Sequence, residues 1–131
     1  MAMATHVNRT RELLTRMNIH SDVAERYLSH CRRRKDLFGF IDIVGITDEQ
    51  TIGVQATSDG ARKDHITKLT EECGEEVRRW LKCPSRAVWL VTWKKKKRPN
   101  KRGVKCLMWC ASVYIITVND SGFTLHQELV E

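Results

Sequence analysis

A chain of 131 residues, 41% hydrophobic and 30% charged, holds enough apolar material for one folded domain with its own core, which excludes a disordered tail or a low-complexity scaffold. Its formal net charge of +7 and pI of about 9.4 favour a polyanion, nucleic acid first, as partner. Five cysteines, an odd number with no CxxC pair, argue against a disulfide framework or a zinc knuckle; reduced, buried thiols and a cytoplasmic setting are expected, and with no secretory signal or long apolar span no membrane role is expected.

Taken in order, residues 1–5 read as a loose start. Val7, Thr10, Leu13, Leu14 and Met17 fall on one side of a 3.6-residue period and predict a helix over residues 7–17. Asn18 suits its exit, because asparagine tolerates the left-handed conformation there. Residues 21–27, containing Glu25, read as a first strand, and Arg32, Arg33, Arg34 and Lys35 as a basic link. Residues 40–46 and 51–57 then predict two strands joined by the polar turn Thr47, Asp48, Glu49 and Gln50. Both strands are partly apolar on both faces, which predicts a central sheet covered by helices.

Ser58 or Asp59 can cap the next helical stretch, whose stripe of Ala61, Ile66, Leu69 and Cys73 is interrupted at Gly74 and resumes with Val77, Trp80 and Leu81 before Pro84 ends it. Residues 87–93 are nearly all apolar, as in a buried central strand. The basic residues Lys94, Lys95, Lys96, Lys97, Arg98, Lys101, Arg102 and Lys105, with Pro99, Asn100 and Gly103 among them, read as a hairpin loop. Strands over residues 104–118 and 123–129 follow, with a turn at residues 119–122. Cys106 and Cys110 share one face of the first of these, a spacing expected of core residues. Trp80 and Trp89 are expected in the core, while Trp93 and Trp109 flank the basic loop. The element order predicts one α/β domain over the whole chain, a mixed central β-sheet flanked by helices with extra C-terminal strands, in which the strands at Gln55 and Trp89 run parallel.

The chemistry concentrates in the central hairpin. Asp42 sits inside the apolar run of Phe40, Ile41, Ile43 and Val44, and a carboxylate there needs a metal ion or a basic partner, because an unpaired buried charge is expensive. Gln55 and Thr57 share one face of the next strand, opposite Ile52, Val54 and Ala56. Asp36, beside Arg34 and Lys35, can brace that loop or lean toward a metal.

The run Arg34-Lys35-Asp36-Leu37-Phe38-Gly39-Phe40-Ile41-Asp42-Ile43 followed by Gly53-Val54-Gln55-Ala56-Thr57-Ser58 resembles the PD-(D/E)XK nuclease superfamily, closest to its small phage and bacterial members and similar to archaeal Holliday-junction resolvases. The element order fits it over roughly residues 5–93. The resemblance implies a restriction-endonuclease-like fold and magnesium- or manganese-dependent hydrolysis of DNA, with homodimers common. It implies that Asp42 is the first metal ligand, that Gln55 stands where the second acid belongs, and that Thr57 stands where the lysine belongs. It also implies an assisting glutamate, for which Glu12 and Glu25 qualify; Glu25 is preferred for its place beside the sheet. Gln55 and Thr57 depart from the pattern by carrying no charge, so a lysine from elsewhere, Lys63, Lys68 or Lys94, would have to stand in.

Arg32, Arg33, Arg34, Lys35, Lys94, Lys95, Lys96, Lys97, Arg98, Lys101 and Arg102 are then the expected phosphate contacts, giving salt-dependent and sequence-independent affinity for DNA. Two rival readings exist. One is a catalytically inactive nucleic-acid binder on the same fold, which the neutral pair Gln55 and Thr57 favours. The other is a phage protein-interaction module whose lysines meet an acidic partner.

Overall fold

The computed structural model describes residues 5–31 and 33–129. Helix α1 (His6–Arg16) starts at Thr5, whose hydroxyl accepts the amide of Asn8 at 3.1 Å, and exits through Asn18 at φ 63°. Strand β1 (His20–Val23) follows. The strand expected over residues 21–27 is thus two pieces, because the chain turns at Ala24 and Glu25, whose amides both reach the Asp42 carbonyl. The second piece, β2 (Arg26–Leu28), pairs with β3 (Arg33–Lys35) in a small separate sheet, so part of the basic link is strand. Residues 1–4, Arg32 and residues 130 and 131 lie outside the described residues, as do the side chains of Arg33 and Arg34, so the phosphate contacts expected of these three arginines fall outside them.

Strands β4 (Ile43–Ile46), β5 (Thr51–Ser58), β6 (Arg86–Pro99), β7 (Lys105–Asn119) and β8 (Gly122–Leu129) join β1 in one six-stranded sheet of order β1-β4-β5-β6-β7-β8. Among the described residues only β5 and β6 run parallel; the connection between them carries α2 (Arg62–Thr67), a π-helical stretch over Lys68–Glu72 and α3 (Gly74–Leu81). This is an α/β fold with a mixed open sheet, and the expected parallel pair is the one found. The regular part of the first hairpin strand begins only at Ile43, since residues 37–41 fold back into a turn closed by a Leu37–Ile41 bridge.

Two cores lie on opposite faces of the sheet. On one, Leu13 and Leu14 of α1 pack on Ile43, Ile52, Val54, Trp89, Val91 and Trp93. On the other, Leu69 and Val77 of the connecting helices pack on Phe40, Ile41, Val88, Leu90 and Ile116. Both faces of β5 and β6 are covered, which is why their sequences are apolar at consecutive positions. Gly53 lets this second layer sit close: a Cβ there would stand 3.0 Å from the Ile41 Cδ1. Trp89 is buried as expected; Trp80 is half-buried against Phe40 and donates its indole N–H to the Ala87 carbonyl at 2.8 Å.

Trp93 is core too. Its indole N–H donates to the Thr10 hydroxyl at 2.9 Å, and that hydroxyl donates to the His6 carbonyl at 2.6 Å, so α1 is pinned to the sheet through a buried polar relay. Thr10→Val leaves the indole N–H buried without an acceptor and is expected to cost about 1–3 kcal/mol. Chemical denaturation measures it; an unchanged midpoint would mean the relay contributes nothing.

The basic loop expected at residues 94–105 is mostly strand. Beyond Trp93, which is level with the last residue of β5, and Ser112, which pairs with the last residue of β8, strands β6 and β7 continue as a two-stranded arm from Lys94↔Cys110 to Pro99↔Lys105. Only residues 100–104 form the turn, tied by the Asn100 side chain to the amides of Arg102 and Val104. The arm corrects the expectation for the thiols: Cys106 is exposed and Cys110 half-exposed, and none of the five cysteines is fully buried. An arm outside both cores has no inside for a four-residue spacing to point into.

Candidate metal centre and nucleic-acid interface

The turn between Asp36 and Asp42 builds the site. Phe38 (φ 55°) and Gly39 (φ 81°) are both left-handed, and Phe38 is 59% exposed, an uncommon conformation for a bulky residue. That reversal lays Asp36 back beside Asp42. Asp42 is fixed from three sides: its amide donates to the Val54 carbonyl (2.9 Å), its carbonyl accepts from Ala24 (2.8 Å), and its Oδ2 accepts from the Ala56 amide (3.0 Å). The bond to Ala24 also places the neighbouring Glu25 over the same spot. Carboxylate oxygens of Glu25, Asp36 and Asp42 all lie within 4.8 Å of one another.

The amide of Gln55 completes the group. It donates from Nε2 to Asp36 Oδ2 at 3.2 Å, so Asp42 and Gln55 share one polar pocket through Asp36. The residue is 2% exposed, and its Oε1 has no hydrogen-bond partner. Lys68, from the π-helical stretch, reaches the same Asp36 Oδ2 with its Nζ at 3.0 Å. Burial above all, then the Asp36 carboxyl that shares a proton with it, push the Asp42 carboxyl up to about 8. Asp36 and Glu25 also repel its charge, against which the single Ala56 amide is a weaker opposing pull.

Of the residues expected here from the sequence, Asp42, Gln55 and Glu25 come together. Glu25 does so from the bend after β1 instead of from a strand. Thr57 is buried on the same face of β5 but stands level with Thr92, outside the carboxylate group. Glu12 is exposed on α1, which covers the opposite face. Lys68 is the lysine that reaches the acids; Lys63 is exposed and Lys94 lies on the arm. Asp36 is the residue whose weight sequence reasoning understated. Its signal was the glycine at position 39, which allows the reversal between two aspartates.

No protein-family model, curated protein or solved structure matches the chain. The site therefore stands on its own chemistry. Three carboxylates and a carbonyl oxygen form an all-oxygen donor set, which suits a hard divalent cation such as magnesium or manganese. Two observations show the fit: a buried carbonyl oxygen without a donor, and a carboxyl that keeps its proton chiefly because it is buried, with the neighbouring acids adding to the effect. A cation would satisfy the first and discharge the second.

The arm next to this site is basic along one strand. Lys94, Lys95, Lys96, Lys97 and Arg98 are all exposed on β6, and Lys101 and Arg102 are exposed in the turn. Alternation splits the run. Lys95 lies 5.1 Å from the centre of the Trp109 ring, which Arg9 of α1 also covers at 4.1 Å. Lys94 and Lys96 face the opposite way, toward Arg62 of α2. Trp109 is thus occupied by cations on the α1 face, and Lys35, exposed at the end of β3, carries a further charge. Among the described residues, no helix is long and apolar enough to cross a membrane.

Proposed function

We propose that this chain binds DNA and hydrolyses its phosphodiester bonds with a divalent cation, magnesium or manganese, on a restriction-endonuclease-like fold. The observation that carries the reading is the buried, partnerless Gln55 Oε1 set against the Glu25, Asp36 and Asp42 carboxylates. Two further features support it. The order of a helix, three antiparallel strands, a helical connection and a parallel strand is the one expected of such nucleases from the sequence. The charges missing at Gln55 and Thr57 are present nearby, a carboxylate from Asp36 and a cation from Lys68, held 3.0 Å apart.

Asp42, Asp36, Glu25 and the Gln55 carbonyl would hold the cation. Bound there, it would polarise a phosphate and lower the pKa of a water. The chain's own residues set the rest. The Ala56 amide holds the Asp42 carboxyl in place, and that carboxyl would have to be ionised to serve as a ligand. Lys68, 30% exposed, holds Asp36 and leaves an ammonium beside the position where charge would build on phosphate oxygens. The arm and Lys35 would supply the backbone contacts.

The test is incubation of labelled duplex, branched and single-stranded DNA with the protein in magnesium, manganese or chelator. Metal-dependent cutting that disappears in Asp42→Ala is expected, with a loss of at least about a hundredfold in rate. Binding to every substrate without cutting in any metal would select the inactive binder, which the neutral Gln55 and Thr57 favour. No binding even at low salt would remove both readings and leave a protein-interaction module.

A further inference from the structure

A second polar site lies on the same face of the sheet as the carboxylates, at the root of the arm. It is a recess of about 230 Å³ lined by Arg62, Thr92, Lys94, Lys96, Ser112 and Tyr114 together with Asp59, Cys110 and Gln127. Arg62 of α2, with Asp59 in the turn before it, meets residues of β6, β7 and β8 there. Its cations outnumber its carboxylate. Asp59 is engaged with Arg62 at 3.3 Å, and Arg62 also donates to the Tyr114 hydroxyl at 3.0 Å, which fixes the guanidinium over the recess. Lys94 and Lys96 then remain as positive charges across from it.

The floor carries the more telling group. Thr92 is 1% exposed, and its hydroxyl has no hydrogen-bond partner. A buried hydroxyl left unsatisfied is unfavourable unless a ligand engages it. The recess therefore combines a fixed guanidinium, two ammonium groups and an orphan hydroxyl, a set complementary to a tetrahedral oxyanion.

We propose that this recess is a phosphate-binding subsite that takes a backbone phosphate of the bound nucleic acid. Its distance from the carboxylates fits. Gln55 pairs with Leu90 and Thr57 with Thr92, so Thr92 sits one strand over and two residues along from Gln55. Strand geometry makes that roughly 8 Å, on the order of one or two phosphate steps along a strand. A phosphate seated in the recess would place a neighbouring phosphodiester at the carboxylates and set the register of the strand. The anion chemistry stands without the hydrolysis reading; only the placement of the neighbouring bond rests on it.

Titration of the protein with inorganic phosphate at constant ionic strength, in chelator and followed by NMR, tests the recess itself. Saturable shifts are expected at the Thr92 and Ser112 amides and the Arg62 side chain, with little change at Lys101 or Lys105. Thr92→Val should weaken phosphate about tenfold while leaving the melting temperature without phosphate unchanged or higher, since no internal bond is lost. Lys96→Gln, on an exposed strand, should weaken it as well. Shifts that never saturate and spread over every basic residue would overturn the proposal, as would a Thr92→Val protein that binds phosphate normally. A short DNA duplex should move the same resonances. If phosphate moves them and the duplex does not, the ligand is a free small phosphate and the backbone assignment fails. Cleavage has no part in these readouts, so an inactive protein that passes them would refute the nuclease reading and leave the subsite standing.

Discussion

Asp42→Asn is expected to make the metal-free protein more stable than the wild type at pH 8, and to erase its response to magnesium. Asp42 has an ordinary value of 3.8 and is raised to about 8 in the folded chain. Below pH 4 both folded and unfolded forms hold the proton, and the residue costs nothing. Between about pH 4 and 8 the unfolded chain releases it and the folded chain keeps it, so wild-type stability falls as pH rises. Above pH 8 the penalty is complete. At about 1.4 kcal/mol for each unit of displacement, the rise from 3.8 to about 8 amounts to about 6 kcal/mol.

Asparagine occupies the same space, can still accept from the Ala56 amide and can donate to Asp36, but carries no charge to bury. The difference between the two proteins should therefore open across pH 4–8 and close in acid, as read by denaturant melts at stepped pH. Magnesium should stabilise the wild type with release of a proton and leave the variant unmoved. A gap that does not change with pH would show that Asp42 does not titrate as its surroundings demand. A magnesium response retained in the variant would remove Asp42 from the ligand set.

Replacing Lys95, Lys96 and Lys97 together by alanine is the second large effect expected, this time on binding. Each lysine that neutralises a phosphate adds about 0.9 to the salt slope, so the slope of log K against log salt should flatten by up to about 2.7. Near physiological salt the affinity for duplex DNA should fall by about a hundredfold. The three side chains are exposed and make their strand pairs through the backbone with Leu107, Met108 and Trp109, so folding should survive the change. A two-stranded ribbon is also a shape that a major groove admits. Fluorescence anisotropy at several salt concentrations gives the slope; an unchanged value would take the arm out of the interface.

These expectations draw on residues of unequal legibility. The apolar period of α1, the turn at residues 47–50 and the all-apolar stretch before Trp93 were readable because each records a local fact, a helix face, a turn or a strand covered on both sides. The lysine run misled for the same reason. Lysine and proline in sequence resemble a loop, yet residues 94–99 are strand because residues 105–110 lie opposite and complete the ladder of hydrogen bonds. The expected strand over residues 21–27 broke at Ala24 and Glu25, whose amides are claimed by the carbonyl of Asp42, a partner far along the chain.

The sequence by itself determined the layers of this protein, its basic character and the presence of a carboxylate that an apolar strand could not explain, because periodicity, charge and composition are properties of neighbouring residues. Only the tertiary structure decided that Glu25 and Asp36 join Asp42, that Lys68 is the lysine that reaches them, and that Arg62 and Thr92 meet below the arm. Those groups come from different elements, and the distance between two side chains is set by how the elements pack, through the reversal at Phe38 and Gly39 and the helices laid across β5 and β6.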